Sequence, residues 1–154
     1  RFITVHGSDG SSILQTANEV KDLGLEVLAV TVLTNVSESE LGGLGYKENL
    51  SLRQLVLDRA NVAKESGCAG VVCSGEEVAL IKRTCSNHFK VVVPGIRPLW
   101  ADVKKDDQSR IVTPKDAISN GADLIVVGRP IRDAKDPNIA ALKIVEEIES
   151  ALSA

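Results

Sequence analysis

Five short apolar runs, each followed by a segment of helical periodicity, constrain the fold of this chain more than any other feature. The runs occupy residues 2–6, 26–33, 69–73, 90–93 and 123–127. Polar and apolar residues do not alternate within them, which is typical of strands buried on both faces of a parallel sheet. We therefore expect a parallel sheet with helices covering both faces.

The segments between these runs have apolar residues at helical spacing. They span residues 11–24, 51–67, 76–86, 113–121 and 136–153. Residues that favour helix starts precede or open most of them, with Ser11, Ser51, Thr113 and Asp136 predicted as N-caps and Pro114 and Pro137 at first helical positions. The predicted order is strand then helix, five times over.

Repeated β-α units with right-handed crossovers form either an open doubly wound sheet or part of a (β/α)8 barrel. A complete barrel typically needs about 250 residues. This chain has 154 residues and no linker or low-complexity tract. Residues 1–154 are therefore predicted to form a single α/β domain, and the periodicity alone leaves the closure of the sheet open.

Composition argues against several classes of partner. The net charge is -3 and the basic residues are scattered, so we expect no nucleic-acid partner. No apolar run approaches the roughly 20 residues that span a bilayer, so we expect no membrane partner and a cytoplasmic location. The three cysteines form no C-x-x-C pair, and with only two histidines a metal site is not expected.

Two of the runs end in similar glycine-arginine motifs. "VVVPGIRP" places Gly95 and Arg97 after the fourth predicted strand, and "LIVVGRPI" places Gly128 and Arg129 after the fifth. Glycine lets a backbone approach an anion closely, and arginine adds a charged fork of donors. Either arginine alone would be read as a solvated surface residue, but two in equivalent positions favour a phosphate-binding site.

Two loops at the predicted strand ends are long for this pattern, residues 34–50 and 94–112. Long loops in compact folds often act as lids. The second contains Asp102, Lys104 and Asp107 at D-x-K-x-x-D spacing, which we interpret as a charged, solvated stretch without a catalytic role. His6, Cys73 and Ser74 also end strands. A lone histidine is more often a structural residue, and no base is visible to activate Cys73 or Ser74 as a nucleophile, so none of the three is assigned to the site.

These motifs resemble the C-terminal part of a bacterial orotidine 5'-phosphate decarboxylase. The similarity runs nearly end to end through "FITVHG", "LAVTVLTN", "GVVCSGEE", "VVPGIRP", "DDQSRIVTPKDAISNGADLIVVGRPI" and "DPNIAAL", in the family's order. The resemblance implies a TIM barrel of the ribulose-phosphate-binding type. The chain would hold about five of its eight units, strands 4 to 8 with their helices.

The resemblance also implies roles for particular residues. Thr34 corresponds to the residue beside the pyrimidine base, although Asn35 stands where the family usually has serine. Arg97, Gln108, Gly128 and Arg129 correspond to the phosphate-side contacts. Gln108 would lie on the loop that folds over the ligand.

The family's catalytic D-x-K-x-x-D motif lies on the third barrel strand, which has no counterpart here, so no catalytic residue is assigned to this chain. The implied reaction converts orotidine monophosphate to uridine monophosphate in pyrimidine biosynthesis, without metal or cofactor. The implied enzyme is a homodimer whose partner subunit completes each site. Five units alone would expose sheet edges and apolar surface.

Two alternatives stay open. The first is a sister barrel acting on a sugar phosphate, such as a hexulose-phosphate synthase or a keto-gulonate-phosphate decarboxylase, against which "LTN" and "DQSRIVTP" argue. The second is a noncatalytic phosphate-binding half-barrel.

Overall fold

The structure is a computed structural model, and it describes residues 1–8, 10–47, 50–101 and 109–153. Its strands and α-helices follow the predicted order, with one additional short helix after the last strand. In chain order they are β1 (Phe2–His6), α1 (Ser11–Val20), β2 (Glu26–Val30), α2 (Leu52–Glu65), β3 (Gly70–Val72), α3 (Val78–Cys85), β4 (Lys90–Val93), α4 (Pro114–Ser119), β5 (Leu124–Ile125), α5 (Arg129–Arg132) and α6 (Pro137–Leu152). Single 3-10 turns cover Lys21–Leu23 and Glu38–Glu40.

The strands form one parallel sheet whose spatial order equals the chain order, β1-β2-β3-β4-β5. The register aligns Ala29 of β2 with Val71 of β3, and Val71 with Val91 of β4. A doubly wound sheet reverses its strand order at a switch point, and this sheet does not. Right-handed crossovers that all run in one direction leave the helices on one side, as in an arc of a barrel.

The core lies on one face of this sheet. Val27, Ala29, Val71, Val91 and Val93 share that face and pack with buried residues of the helices, including Leu14, Val56, Ala60 and Ile81. The opposite face is more open: Leu28 and Val92 are buried there, but Val30 and Val72 are half-buried and Leu124 and Val126 are exposed. The expectation that helices cover both faces is therefore wrong, because unidirectional crossovers can cover only one.

Both edges of the sheet expose apolar side chains. Phe2 and Ile3 on β1 are 46% and 49% exposed, and Leu124 on β5 is 42% exposed. Each of these strands has one neighbouring strand in the sheet. Their apolar sequences predict burial on both faces. Because β1 and β5 are edge strands with one neighbouring strand each, their side chains stay partly exposed. The exposed apolar surface expected of five units is present.

Helix boundaries agree closely with the predictions at three of the four proposed caps. The side chains of Ser51, Thr113 and Asp136 each accept hydrogen bonds from backbone N–H groups of the first turn. Gly10, and not Ser11, occupies the N-cap position of α1. Helix α3 begins at Val78, because the preceding residues form a turn in which Glu77 N donates to Ser74 O. The four-residue helix α5 was not predicted, since it is too short to show a period.

Among the described residues, none of the helices combines the length and the apolar character that a membrane span requires.

Candidate functional site

Parallel strands end at one edge of the sheet, and the predicted site residues follow them there. Thr34 follows β2, Arg97 follows β4, and Gly128 and Arg129 follow β5. Strands β4 and β5 are neighbours, so the two arginine motifs leave adjacent strand ends, whereas Thr34 leaves a strand two positions away. This edge is where barrels and open α/β sheets bind their ligands.

Hydrogen bonds to backbone carbonyl groups fix the position of Arg97. A short parallel bridge pairs Ile96 with Val112, and Arg97 N donates to Val112 O at 2.8 Å. The half-buried guanidinium donates through Nη1 to Ile96 O at 2.8 Å. Gly95 has φ of 75°, a left-handed conformation that glycine adopts without strain, and it turns the chain out of β4. The "PGIRP" motif therefore encodes a defined turn.

Gly128 and Arg129 form the junction between β5 and α5. Gly128 O accepts from the N–H groups of Ile131 and Arg132, each at 3.0 Å. A Cβ at Gly128 would meet no described atom within 4 Å, so packing does not demand glycine, and the space beside this backbone is open. Arg129 is half-buried and lines a cavity of about 640 Å³ together with Trp100 and Lys143. The lining also includes Lys135, Asp133 and Asp136, so basic and acidic side chains share this cavity.

Trp100 fixes the segment that follows "GIRP". Its indole Nε1 donates to Glu147 Oε1 on α6 at 2.8 Å, and Lys143 Nζ lies 5.2 Å from the ring centroid. The segment after Arg97 is thereby joined to the last helix, next to the cavity that Arg129 lines. Gln108 and the Asp102, Lys104 and Asp107 motif lie outside the described residues, so their assignments stay predictions.

Thr34 is buried, with 7% of its surface exposed, and it contacts the far end of the same loop. Its carbonyl oxygen accepts from Ser109 N at 3.2 Å, Arg110 N at 3.2 Å and Ser109 Oγ at 3.0 Å. The proposed base-side residue is thus joined to the segment that directly follows Gln108. The sequence separation gives no hint of this contact.

A buried ion pair between Arg110 and Glu77 contacts the backbone that precedes Thr34. Arg110 Nη1 donates to Glu77 Oε1 at 2.6 Å, and Nη2 donates to Val32 O at 3.2 Å and Leu33 O at 3.1 Å. The other carboxylate oxygen of Glu77 accepts from Ser74 N at 3.0 Å. Burial raises the pKa of the Glu77 carboxyl above its ordinary value, and attraction to Arg110 only partly offsets that effect.

Sequence reasoning missed both members of this pair. Glu77 lies in a predicted helical segment, and Arg110 lies in a charged loop where exposure is the default. The one usable signal is that "SGEE" directly follows a buried strand, at the edge where polar side chains often face a site.

Ser74 and Cys73, which follow β3, are both buried. Ser74 is fully buried, and its hydroxyl accepts from Glu76 N at 3.3 Å. Burial raises the pKa of the Cys73 thiol, which disfavours the thiolate that a nucleophile requires. In the part of the chain that the structure describes, no cluster of His, Cys, Asp and Glu could hold a metal ion.

Arg59 stabilises the loop after β2 from the helical layer. Arg59 on α2 donates to Thr31 O and to the Tyr46 hydroxyl, and its guanidinium lies 5.6 Å from the Tyr46 ring centroid. Thr31 Oγ1 in turn donates to Val72 O at 3.0 Å. The start and the end of the segment around Thr34 are therefore both joined to the helical layer.

The model of the Orotidine 5'-phosphate decarboxylase / HUMPS family matches residues 1–144. The chain belongs to this family. Orotidine 5'-phosphate decarboxylase of Desulfosudis oleivorans is 48% identical over 155 residues, covering 98% of this chain and 61% of that protein. The enzyme of the same name from Syntrophomonas wolfei is 42% identical, covering 96% and 64%. The chain thus spans a little over three fifths of the length of these relatives.

Solved structures of the family agree with the fold. The crystal structure of orotidine 5'-phosphate decarboxylase from Lactobacillus acidophilus superposes with a TM-score of 0.77 at 36% identity, covering 96% of this chain and 62% of that one. The structure from Pyrococcus horikoshii gives 0.64 at 27% identity. The predictions of the family and of an incomplete TIM barrel are confirmed. Of the two architectures that the periodicity left open, the partial (β/α)8 barrel is therefore the correct one, and the doubly wound sheet is not.

Proposed function

We propose that the protein to which this chain belongs decarboxylates orotidine 5'-monophosphate to uridine 5'-monophosphate in pyrimidine biosynthesis. The observation that carries the proposal is the identity of 42% to 48% with proteins named for this activity, over nearly the whole chain. The same names argue against a sugar-phosphate enzyme. No metal or cofactor enters the proposed reaction.

In this proposal the present chain provides the phosphate side and the base side of the pocket. Arg97 and Arg129 leave adjacent strand ends, and their planar guanidinium groups suit the oxygens of a phosphate monoester. Gly128 leaves open space in which an anion can approach the backbone. Thr34 faces the pyrimidine, and Gln108 completes the phosphate contacts from the loop.

None of these residues performs the bond cleavage. The chemistry would belong to carboxylate and lysine groups of the D-x-K-x-x-D motif that the family resemblance implies. Contacts to the remote phosphate raise kcat when they are stronger in the transition state than in the bound substrate, and contacts that persist in the transition state also raise kcat/KM. Loss of a phosphate-side arginine is therefore expected to lower kcat/KM while the chemical mechanism is unchanged.

We further propose a cytoplasmic homodimer, in which the partner subunit completes each site, as the family resemblance implies. Light scattering after size exclusion, with and without uridine monophosphate, tests the stoichiometry. A strictly monomeric active protein would contradict this part of the proposal.

Calorimetric titration of the chain with 6-azauridine 5'-monophosphate tests the ligand assignment. Arg129→Ala is expected to weaken binding roughly 10- to 150-fold, because a hydrogen bond to a charged group contributes about 1.5–3 kcal/mol. Arg132→Ala is the matched control, since Arg132 lies on the same short helix but pairs with Asp133 at 2.6 Å and is 71% exposed. Its affinity should stay within about twofold of the wild type.

Ribulose 5-phosphate is the competing ligand. A folded chain that binds it as tightly as the nucleotide would contradict the decarboxylase assignment and favour a sugar-phosphate enzyme. Binding of the nucleotide without any turnover of orotidine monophosphate by the intact protein would favour the noncatalytic half-barrel.

A further inference from the structure

Arg110 joins three loops at the edge where the site lies. The residue is 7% exposed, and its side chain donates to Glu77 after β3 and to the carbonyl oxygens of Val32 and Leu33 after β2. These two carbonyls immediately precede Thr34. The third loop is its own, which the Ile96–Val112 bridge connects back to Arg97.

The backbone around Arg110 contacts Thr34 directly. Ser109 N and Arg110 N each donate to Thr34 O at 3.2 Å, and Ser109 Oγ donates to the same oxygen at 3.0 Å. The guanidinium thus holds the two residues before Thr34 while the adjacent amides hold Thr34 itself. Together these bonds determine where the proposed base-side residue lies.

Glu77 makes this arrangement rigid. Its carboxylate receives Arg110 on one oxygen and Ser74 N on the other, so the guanidinium has a fixed acceptor at the end of β3. A lysine at position 110 has one ammonium centre and cannot reproduce the planar fork that reaches Glu77 and two carbonyls at once.

Stability alone does not account for this pair. A buried ion pair is often no more stabilising than apolar residues of similar volume, because both charges lose their hydration. Arg110 Nε is also buried without a hydrogen-bond partner among the described residues, which is a further cost. A positioning role explains why charged groups occupy this place.

Resting on the proposed function, we infer that Arg110, fixed by Glu77, is a positioning residue that sets Thr34 against the pyrimidine base. In this proposal Arg97 and Arg129 bind the phosphate, and their contribution is independent of Arg110. Arg110 touches no substrate in this proposal and acts only through Thr34.

Two ligands that share a phosphate but differ in the base separate this role from a general effect on folding. Uridine monophosphate reports on both ends of the pocket, and ribose 5-phosphate reports on the phosphate end alone. Arg110→Lys is expected to weaken uridine monophosphate about tenfold, equivalent to one hydrogen bond to the base. Its affinity for ribose 5-phosphate should stay within about twofold of the wild type.

Arg53→Lys is the matched control. Exposed Arg53 lines a cavity of about 340 Å³ that Glu77 and Arg110 also line. The substitution should change neither affinity. Ser109→Ala is a milder second variant that keeps the ion pair and removes only the hydroxyl bond to Thr34 O. It should weaken the nucleotide in the same direction by a smaller factor.

Amide hydrogen exchange provides a readout that needs no ligand. Exchange at Ser109 and Arg110 should accelerate in Arg110→Lys and remain at the wild-type rate in Arg53→Lys. Equal weakening of both ligands, or unchanged exchange at these amides, would overturn the inference. If the wild-type chain binds ribose 5-phosphate but not the nucleotide, both the base-side role and the proposed function fail. If only Arg129→Ala behaves as expected, the function stands and the role of Arg110 falls.

Discussion

Glu77 and Arg110 lie 33 positions apart in the chain, yet their side chains meet at 2.6 Å in a buried environment. Glu77→Ala is expected to destabilise the fold by about 3–5 kcal/mol, because removal of one partner leaves the other charge buried without compensation. The double variant Glu77→Leu with Arg110→Met should cost less than either single loss. Urea unfolding followed by circular dichroism compares the double variant with its two single variants, Glu77→Leu and Arg110→Met, and simply additive costs would contradict the coupling.

Gly75 and Val112 pack so closely that only glycine fits. A Cβ at position 75 would lie 2.3 Å from Val112 Cγ1. Gly75→Ala should therefore cost about 1–3 kcal/mol by overpacking, and adding Val112→Ala should recover part of that loss. Gly42→Ala is the control, since no atom of the described residues lies within 4 Å of its Cβ position, and it should stay within about 0.5 kcal/mol. Equal effects at both glycines in thermal unfolding would show that close packing is not the cause.

The three cysteines are expected to be unreactive in the folded chain. Cys68, Cys73 and Cys85 are buried, and burial raises the pKa of each thiol. A chromogenic disulfide reagent at neutral pH should therefore detect no fast thiol until guanidinium unfolds the chain, when all three should react. Ser153→Cys adds an exposed thiol as a positive control. A rapid reaction of the unmodified native chain would contradict the packing around these residues.

Glu40 is expected to titrate at a lower pH than an ordinary glutamate. Its carboxylate accepts from Ser37 Oγ at 2.6 Å and Ser37 N at 2.7 Å, and these bonds hold the pKa of Glu40 below its ordinary value of 4.5. A carboxyl with a lowered folded pKa stabilises the folded state above its unfolded pKa, and that contribution disappears as the pH falls through the folded pKa. The capped turn at Glu38–Glu40 should therefore loosen only in acid.

Carbon-13 NMR titration of the Glu40 carboxyl measures this shift directly. Ser37→Ala removes the stronger of the two bonds and should raise the Glu40 pKa towards its ordinary value, whereas the remote Ser153→Ala should leave it unchanged. An unaltered titration in Ser37→Ala would show that the hydroxyl bond does not cause the shift.

Helix capping is the level at which sequence reasoning was most successful. Asp136 accepts from Asn138 N at 2.9 Å and Ile139 N at 3.1 Å, and Thr113 accepts from Asp116 N at 3.1 Å, as their positions before proline predict. Asp136→Ala is expected to cost about 1 kcal/mol, with Asp136→Asn as the conservative control. Thermal denaturation compares the two, and an equal loss would assign the effect to charge and not to capping.

The positions of individual site residues were partly predictable. Glycine-arginine motifs after two buried strands place Arg97 and Arg129 at one edge, because parallel strands all end there. The partners of Thr34 were not predictable, since the hydrogen bonds from Ser109 and Arg110 span 75 residues or more and depend on how two loops meet.

The order of the main elements, most helix ends and the family can be predicted from the amino-acid sequence, because local propensity, capping chemistry and motif order are properties of neighbouring residues. The covering of one sheet face by the helices and the burial of Arg110 against Glu77 become visible in the folded chain alone. Both depend on the direction of the crossovers and on contacts between distant loops, and no local pattern along the chain encodes those.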